Sequence, residues 1–563
     1  MFRHVFDYIK SNTILLIILA TAFLFHMFLI VQSGSNYCIG DECGLYFWGI
    51  HSHDSIWHIA LATVSFKQYP FIVPTFAGGV LSGYNLLLDL VIYLFTFFGA
   101  LPLFVFFKII PILWIILFTV SAVILGRKIK DDVKFVAVFL IFVFFGGSYT
   151  YFLTLYHNGT IDGSASVLAM QSGLMMTNVQ LALSFTVLLF MLYMIKNAKF
   201  DLWKVLLFCI LTFITIGLKF YGGVIAVLLA VFYVLELYLS KKNFLLTFKY
   251  GLLIGLSIVG SVLIFYNPFA AIESGTVLIF SPFSIVHSII EEPDLIYLKD
   301  LVLQRYYLQE VNPMSPRLLA IELFSATLFI FVNLGTRFFG LFYFLYKLIK
   351  RQITRFEVYI AASILLGTLL TIFFIQKGIW WNTVQFFYYV IFLANFFAAQ
   401  MVYTFLKQRN RIISVIGIIL ILLALPINID IIKGTIIAPK GYVSRSELEA
   451  LEYLKSQPEG VVFSSFHYVD KKNARVFDDS SYIPALTGKQ SYIDDLTQLA
   501  LVGVDYSHRL ERVQSLDCRI FHEVNYIYYK KYFSSEYLKK CSSALKEYKK
   551  TFENDKVTIF SNV

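Results

Sequence analysis

Apolar residues gather into runs long enough to cross a bilayer, and polar residues are confined to the intervals between them. Runs of spanning length fall at 13–31, 85–100, 102–126, 133–152, 179–195, 203–218, 221–239, 246–266, 318–346, 357–375, 384–406 and 411–429. Basic clusters punctuate them: Arg127-Lys128-Ile129-Lys130, Lys196 to Lys199, Lys241-Lys242, Lys347 to Arg355, and Lys407 to Arg411. With these clusters, Arg3 and Lys10 in the cytoplasm, every boundary from 127 onward alternates consistently and the tail emerges outside. One run breaks the parity. If 85–100 and 102–126 both crossed, every later cluster would lie outside, so 85–100 is predicted to lie along the outer leaflet. Gly99 and Pro102 end it. Asp89 within it agrees, because a carboxylate at mid-bilayer costs at least ~2.5 kcal/mol on insertion scales. The expectation is a polytopic α-helical membrane protein of about 11 spans plus one non-crossing interfacial helix.

This layout puts the substantial polar pieces outside: 32–101, 153–178, 267–317 and the tail. Residues 1–430 read as the transmembrane domain, and 431–563 as an extracytoplasmic soluble α/β domain of accessory character. Charge is much denser in that tail than in the spans, as expected of a soluble domain. Ser444 and Glu447 form a capping box that opens a helix over 447–455. Strands are predicted at 461–464, 525–529 and 556–560, and a second helix over 535–548. No glycine-rich phosphate loop or nucleophile elbow occurs in it.

The chain has 563 residues, 58% of them apolar and 18% aromatic, with a mean hydropathy of +0.73. The net charge of +10 is distributed as short clusters at span ends, which excludes a nucleic-acid face. The first run lacks a small-residue cleavage site and reads as a signal anchor. Five cysteines are too few for a disulfide framework, but Cys38 with Cys43 and Cys518 with Cys541 are pairs that an oxidising compartment would bridge.

The densest polar stretch is Gly49-Ile-His-Ser-His-Asp-Ser-Ile-Trp-His-Ile-Ala60, just after the first run. On a helix, Asp54, Trp57, His58 and Leu61 share a face. Asp54 is the candidate acid/base. His51, His53, Asp54 and His58 also form a candidate set for a divalent metal, against a reading in which the histidines hydrogen-bond in a wet loop. The stretch, with Pro70, Pro74, Phe76-Ala-Gly78 and Gly83-Tyr84 and the short apolar helix after them, resembles the N-terminal module of GT-C glycosyltransferases. It is most similar to the protein O-mannosyltransferase and aminoarabinose-transferase relatives. Asp54, Trp57 and Ala60 fit the loop motif, while Ser55 stands where an acidic neighbour is usual. The likeness of layout covers residues 1–240.

The resemblance implies a carboxylate that takes a proton and cations that hold a lipid phosphate. It suggests Asp162 as a second carboxylate, by location only; Asn158-Gly159 and Asp162-Gly163 are equally turn-forming pairs. It also implies that Lys219, in Ile-Gly-Leu-Lys-Phe-Tyr-Gly-Gly223, contacts the lipid phosphate, against snorkelling to the interface. Arg305 and Arg317 in the third loop are candidate phosphate or acceptor contacts, and Lys377 is a candidate to join Lys219 at the phosphate. Trp381, Asn382 and Gln385 offer an aromatic face with amides suited to a sugar ring, beside the alternative of an interfacial belt. Arg337 should face the protein interior.

The reading is a multi-pass enzyme of the cytoplasmic membrane that moves a sugar from a polyprenyl-phosphate donor to an extracytoplasmic glycan, lipid or protein. Membrane lipids are its surroundings. The alternatives are a transporter or flippase of lipid-linked glycans, which calls for mid-membrane charges and an inverted repeat, and a non-catalytic assembly protein.

Overall fold

A computed structural model describes residues 2–81, 83–161, 171–197, 199–266, 268, 278–293, 295–376, 379–437 and 440–563. Most of them are helical. Among the described residues nine helices are long and apolar enough to cross a membrane, ten if one bent pair is a single span, so the chain reads as a multi-pass membrane protein. Expectation and structure differ in detail at three runs. The run 133–152 is the bent pair Val133–Phe145 and Thr150–Asn158, whose axes turn by 53°. The run 203–218 is the 17-residue helix Leu202–Leu218, at the short end of what spans. The run 318–346 is two helices, Pro316–Leu334 and Thr336–Ile349. Gly335 separates them with φ +54, and a Cβ there would lie 3.1 Å from Ser148 Cα, so both conformation and space call for glycine.

The chain forms two compact units. The first holds residues 1–29, 112–264 and 277–437 and is a helical bundle. Inside it Arg337 is buried, as expected, and donates to the carbonyls of Gly146 and Gly147 and to Asn395 Oδ1. The break after Phe145 frees those carbonyls from a helical ladder, and the guanidinium satisfies them.

The second unit joins residues 30–111 and 265–276 to 438–563, a grouping that differs from a division at residue 430. Strands Ser35–Ile39, Glu42–Trp48 and Lys440–Ser444 make an antiparallel sheet, with Gly44 opposite Ser444 and Trp48 opposite Lys440. A second sheet has the order Val462–Phe463, Tyr526–Lys530, Val557–Ser561, Lys549–Glu553, its first pair parallel. Helix Arg445–Ser456 opens with the Ser444–Glu447 capping box. The helix anticipated over 535–548 is two short ones, Glu536–Lys540 and Ser542–Leu545, parted at Cys541, which is bonded to Cys518. Cys38 is bonded to Cys43. Phe463, Phe521 and Tyr537 meet edge-to-face or stacked at 5.4–5.6 Å and centre the tail's core.

Candidate active site

Helix Asp54–Val64 is buried along nearly its whole length, with Trp57 and Leu61 inaccessible. Asp54 stands at its first position, where a carboxylate meets the positive end of the helix dipole. Its side chain is 38% exposed, so this is the point at which the buried helix offers a charge to solvent. The run expected to be non-crossing is the ten-residue helix Leu87–Thr96. Its Asp89 is fully buried and sits 3.2 Å from His58 Nδ1.

The Pro74–Ala77 segment is stitched to the tail through the backbone. The Ser491 N–H donates to Pro74 O at 2.9 Å, that of Asp494 to Thr75 O at 3.0 Å, and that of Ala77 to Ser491 O at 3.0 Å. Arg509 closes the seam, donating to Ala77 O and Tyr492 O with its guanidinium 3.8 Å from the Phe76 ring centre. This register delivers the pair Asp494-Asp495 to the histidine stretch. Asp495 is fully buried and left-handed, φ +57, a conformation that costs of order 1–3 kcal/mol for a non-glycine residue. Its carboxylate accepts from Ser481 Oγ at 2.5 Å, from the Gln498 N–H at 3.3 Å, and lies 3.0 Å from His53 Nε2.

His53 therefore bridges two carboxylates, with Nε2 on Asp495 and Nδ1 3.4 Å from Asp54 Oδ1. Burial works against its charge, but the hydrogen bonds and attraction from Asp495 and Asp54 outweigh it and raise its pKa to about 10. Both ring nitrogens carry protons at neutral pH. Gln498 Nε2 donates to the same Asp54 oxygen at 3.2 Å. Tyr84, edge-on to Trp57, is pushed well above the ordinary tyrosine value by burial and then by Asp54 and Asp89, so it stays a neutral phenol. Behind this shell, Asp494 accepts from Ser464 Oγ at 2.7 Å and lies 3.9 Å from His467 Nε2; burial lifts its pKa to about 6.

The metal set does not converge. His51 is buried with Nδ1 2.8 Å from Ser33 Oγ, and His58 turns to Asp89. His53 spends both nitrogens on carboxylates. Among the described residues no three His, Cys, Asp or Glu side chains gather as metal ligands. The histidines are better described as the packing and charge partners of the two carboxylates.

The chain is similar to an archaeal oligosaccharyltransferase. The apo structure of the Archaeoglobus fulgidus protein has a TM-score of 0.46 at 11% identity, covering 92% of this chain and 69% of that one. Its complex with Zn and sulfate gives 0.45 at 12% identity, with 97% and 73% covered. Its complex with an inhibitory peptide and a dolichol-phosphate, under the name AglB, gives 0.47 at 12%, with 99% and 75% covered. No family model and no curated protein matches the sequence.

The remaining candidates lie in the first unit or outside the described residues, as Asp162 and Lys377 do. Lys219 is buried at 5% exposure in the extended residue between helices Leu202–Leu218 and Phe220–Lys241. Arg305 is buried and engaged, with Nε on Glu322 at 2.7 Å, one terminal nitrogen on Glu291 at 2.9 Å and the other on His287 Nδ1 at 2.9 Å. Burial, then the nearby Arg305, holds His287 down at about 4, so its neutral ring accepts that bond. Trp381 is 46% exposed. Beside it Asn382 donates to Gln376 Oε1 at 2.7 Å and accepts from Gln385, and Tyr221 donates to the same Gln376 oxygen at 3.2 Å.

Asp495 and Gln498 are the residues here that the sequence did not single out, and in the sequence Asp89 is notable only for its cost in a bilayer. A signal existed for the first. Asp494-Asp495 is an acidic pair between Tyr492-Ile493 and Leu496, and two adjacent carboxylates in an apolar stretch need partners once buried.

Proposed function

We propose that the protein is a membrane glycosyltransferase that uses a polyprenyl-phosphate-linked sugar and acts on a glycan, lipid or protein outside the cytoplasmic membrane. The observation that carries this reading is Asp54 itself: a half-exposed carboxylate on a buried helix, oriented by Gln498 and by a protonated His53 anchored on Asp495. A carboxylate held in that way suits general-base work. Asp54 takes the proton of the acceptor hydroxyl as its oxygen attacks the anomeric carbon. The bond from that carbon to the phosphate oxygen breaks, and polyprenyl phosphate leaves with the electron pair. Lys219 is assigned to that phosphate on the strength of the resemblance, as a point charge opposing the developing negative charge. The Trp381, Asn382 and Gln385 surface, an indole beside a chain of amides, is assigned to the sugar or acceptor. The two disulfides in the unit that carries Asp54 support an oxidising, extracytoplasmic location.

Purified protein given a radiolabelled polyprenyl-phosphate sugar tests the reading. Asp54→Asn should lower transfer about 10²–10⁴-fold without lowering the melting temperature, and undiminished transfer would remove Asp54 from the chemistry. Lys219→Ala is scored separately, as weaker use of the donor; an unchanged donor KM and kcat would end its assignment.

A further inference from the structure

The end of the helical bundle that bears the basic clusters lines a half-open cavity of about 240 Å³, wholly within the first unit. Three lysines reach its wall from three helix ends: Lys130 just past Ile110–Ile129, Lys196 near the end of Val179–Asn197, and Lys347 in Thr336–Ile349. Glu357 is the one carboxylate among the described lining residues, and it is ion-paired with Lys347. Asp132, close by on Tyr403, is held by Lys407 at 2.6 Å. Lys130 and Lys196 are left to aromatic rings. Their ammonium groups lie 4.2 Å from the Tyr403 ring centre and 5.1 Å from that of Phe356, and no described carboxylate comes within 4.0 Å of either.

Two cations on π-faces in the lining of a half-open cavity make an anion site with its charge in place. Aromatic rings hold the ammonium groups without neutralising them. The parity of the basic clusters puts this end of the bundle at the cytoplasmic boundary, where anionic lipid headgroups are abundant and basic pockets between helices capture them. Gln400 and the Tyr343–Thr404 pair, whose oxygens are 3.0 Å apart, add neutral hydrogen-bonding groups for a glycerol. We propose that this cavity binds the phosphate headgroup of an anionic phospholipid from the cytoplasmic leaflet. Lys130 and Lys196 hold the phosphate oxygens, and the Phe356 and Tyr403 rings flank the glycerol. The site is independent of the glycosyl-transfer reading and of every residue assigned to it.

Lipid retention by the full-length protein tests this. Protein purified in detergent is titrated with phosphatidylglycerol, phosphatidylcholine or soluble glycerol 3-phosphate, and bound ligand is counted by native mass spectrometry. Wild type should retain one phosphatidylglycerol in preference to phosphatidylcholine. Lys130→Gln/Lys196→Gln should weaken it about 25-fold, some fivefold per lysine at a membrane surface, with the melting temperature of the lipid-free protein unchanged. Lys241→Gln/Lys242→Gln, which removes the same charge from an exposed cluster, should leave that lipid bound. Equal retention of phosphatidylcholine, or equal loss in the two double variants, would reduce the site to general surface attraction and overturn the proposal. Glycerol 3-phosphate binding that needs the two lysines while phosphatidylglycerol is not retained would make it a soluble-phosphate site and equally overturn it.

Discussion

The Asp54 cluster and the Arg305 cluster are both small ion networks withdrawn from water, and their difference is one of closure. Around Arg305 the side chains are 5% exposed for the arginine, 8% for Glu322 and 19% for Glu291, and all three directions of the guanidinium are occupied. Such a network ties three helices together, and each guanidinium nitrogen already has an acceptor. Around Asp54 the inner member is sealed, Asp495 at 0%, while the outer members stay open, His53 at 28% and Asp54 at 38%. Burying one end of a charged chain and exposing the other orients a reactive group without neutralising it. Both clusters use a histidine, in opposite states. His287 is kept neutral by burial and a cation; His53 is kept charged by two carboxylates.

Four substitutions separate an open charge network from a closed one. The largest effect is expected from Asp54→Asn, which should cost about 10²–10⁴-fold in sugar transfer, the range for a general base, with unfolding unchanged. Arg305→Ala should do the reverse. Unfolding in detergent should show about 3–5 kcal/mol lost, as when one partner leaves a buried ion pair. A stable Arg305→Ala protein with a raised donor KM would instead make Arg305 a phosphate contact and dissolve the distinction.

Asp495→Asn comes next. It should lower transfer about ten- to hundredfold, the worth of one charge-assisted hydrogen bond, and should also move the alkaline limb of the pH–rate profile to lower pH as His53 loses its proton more easily. A uniform drop with an unmoved profile would mean only a packing role. The smallest effect is on stability against pH. His53 is raised in the fold, so its contribution is full below its unfolded pKa of about 6.5 and is lost as pH climbs through about 10. Thermal melts across that interval should flatten in His53→Gln relative to wild type; parallel curves would contradict the bridging geometry.

Legibility followed the range of the forces involved. The apolar runs are local and long, and all of them are helical, two of them as broken pairs, because a bilayer demands apolar length and internal hydrogen bonding from every crossing segment. The interruptions were harder to read. Gly335 divides one run because of a close approach to Ser148, a contact invisible in a hydropathy pattern. In the site, Asp54 stood out by being charged beside a long apolar run. The histidines around it also formed a candidate ligand set, but proximity in sequence says nothing of direction: His51 lies on Ser33, His53 on Asp495 and Asp54, and His58 on Asp89. The tail, read as accessory, supplies Asp495 and Gln498.

Read without the fold, the chain is a helical one with about 11 expected spans, a charge-dense tail with its capping box, and two candidate carboxylates, Asp54 and Asp162. Each is a property of contiguous residues, set by hydrophobic length, helix-end chemistry or local polarity. Only the tertiary structure decided what surrounds Asp54. The backbone seam from Pro74–Ala77 to Ser491–Asp494 joins segments more than four hundred residues apart, and it sets the register that places Asp495 against His53. Hydrogen bonds of that kind follow from where two backbones pass, and no stretch of either segment encodes the meeting alone. Asp54 owes its exposure to the helix behind it and its orientation to the tail.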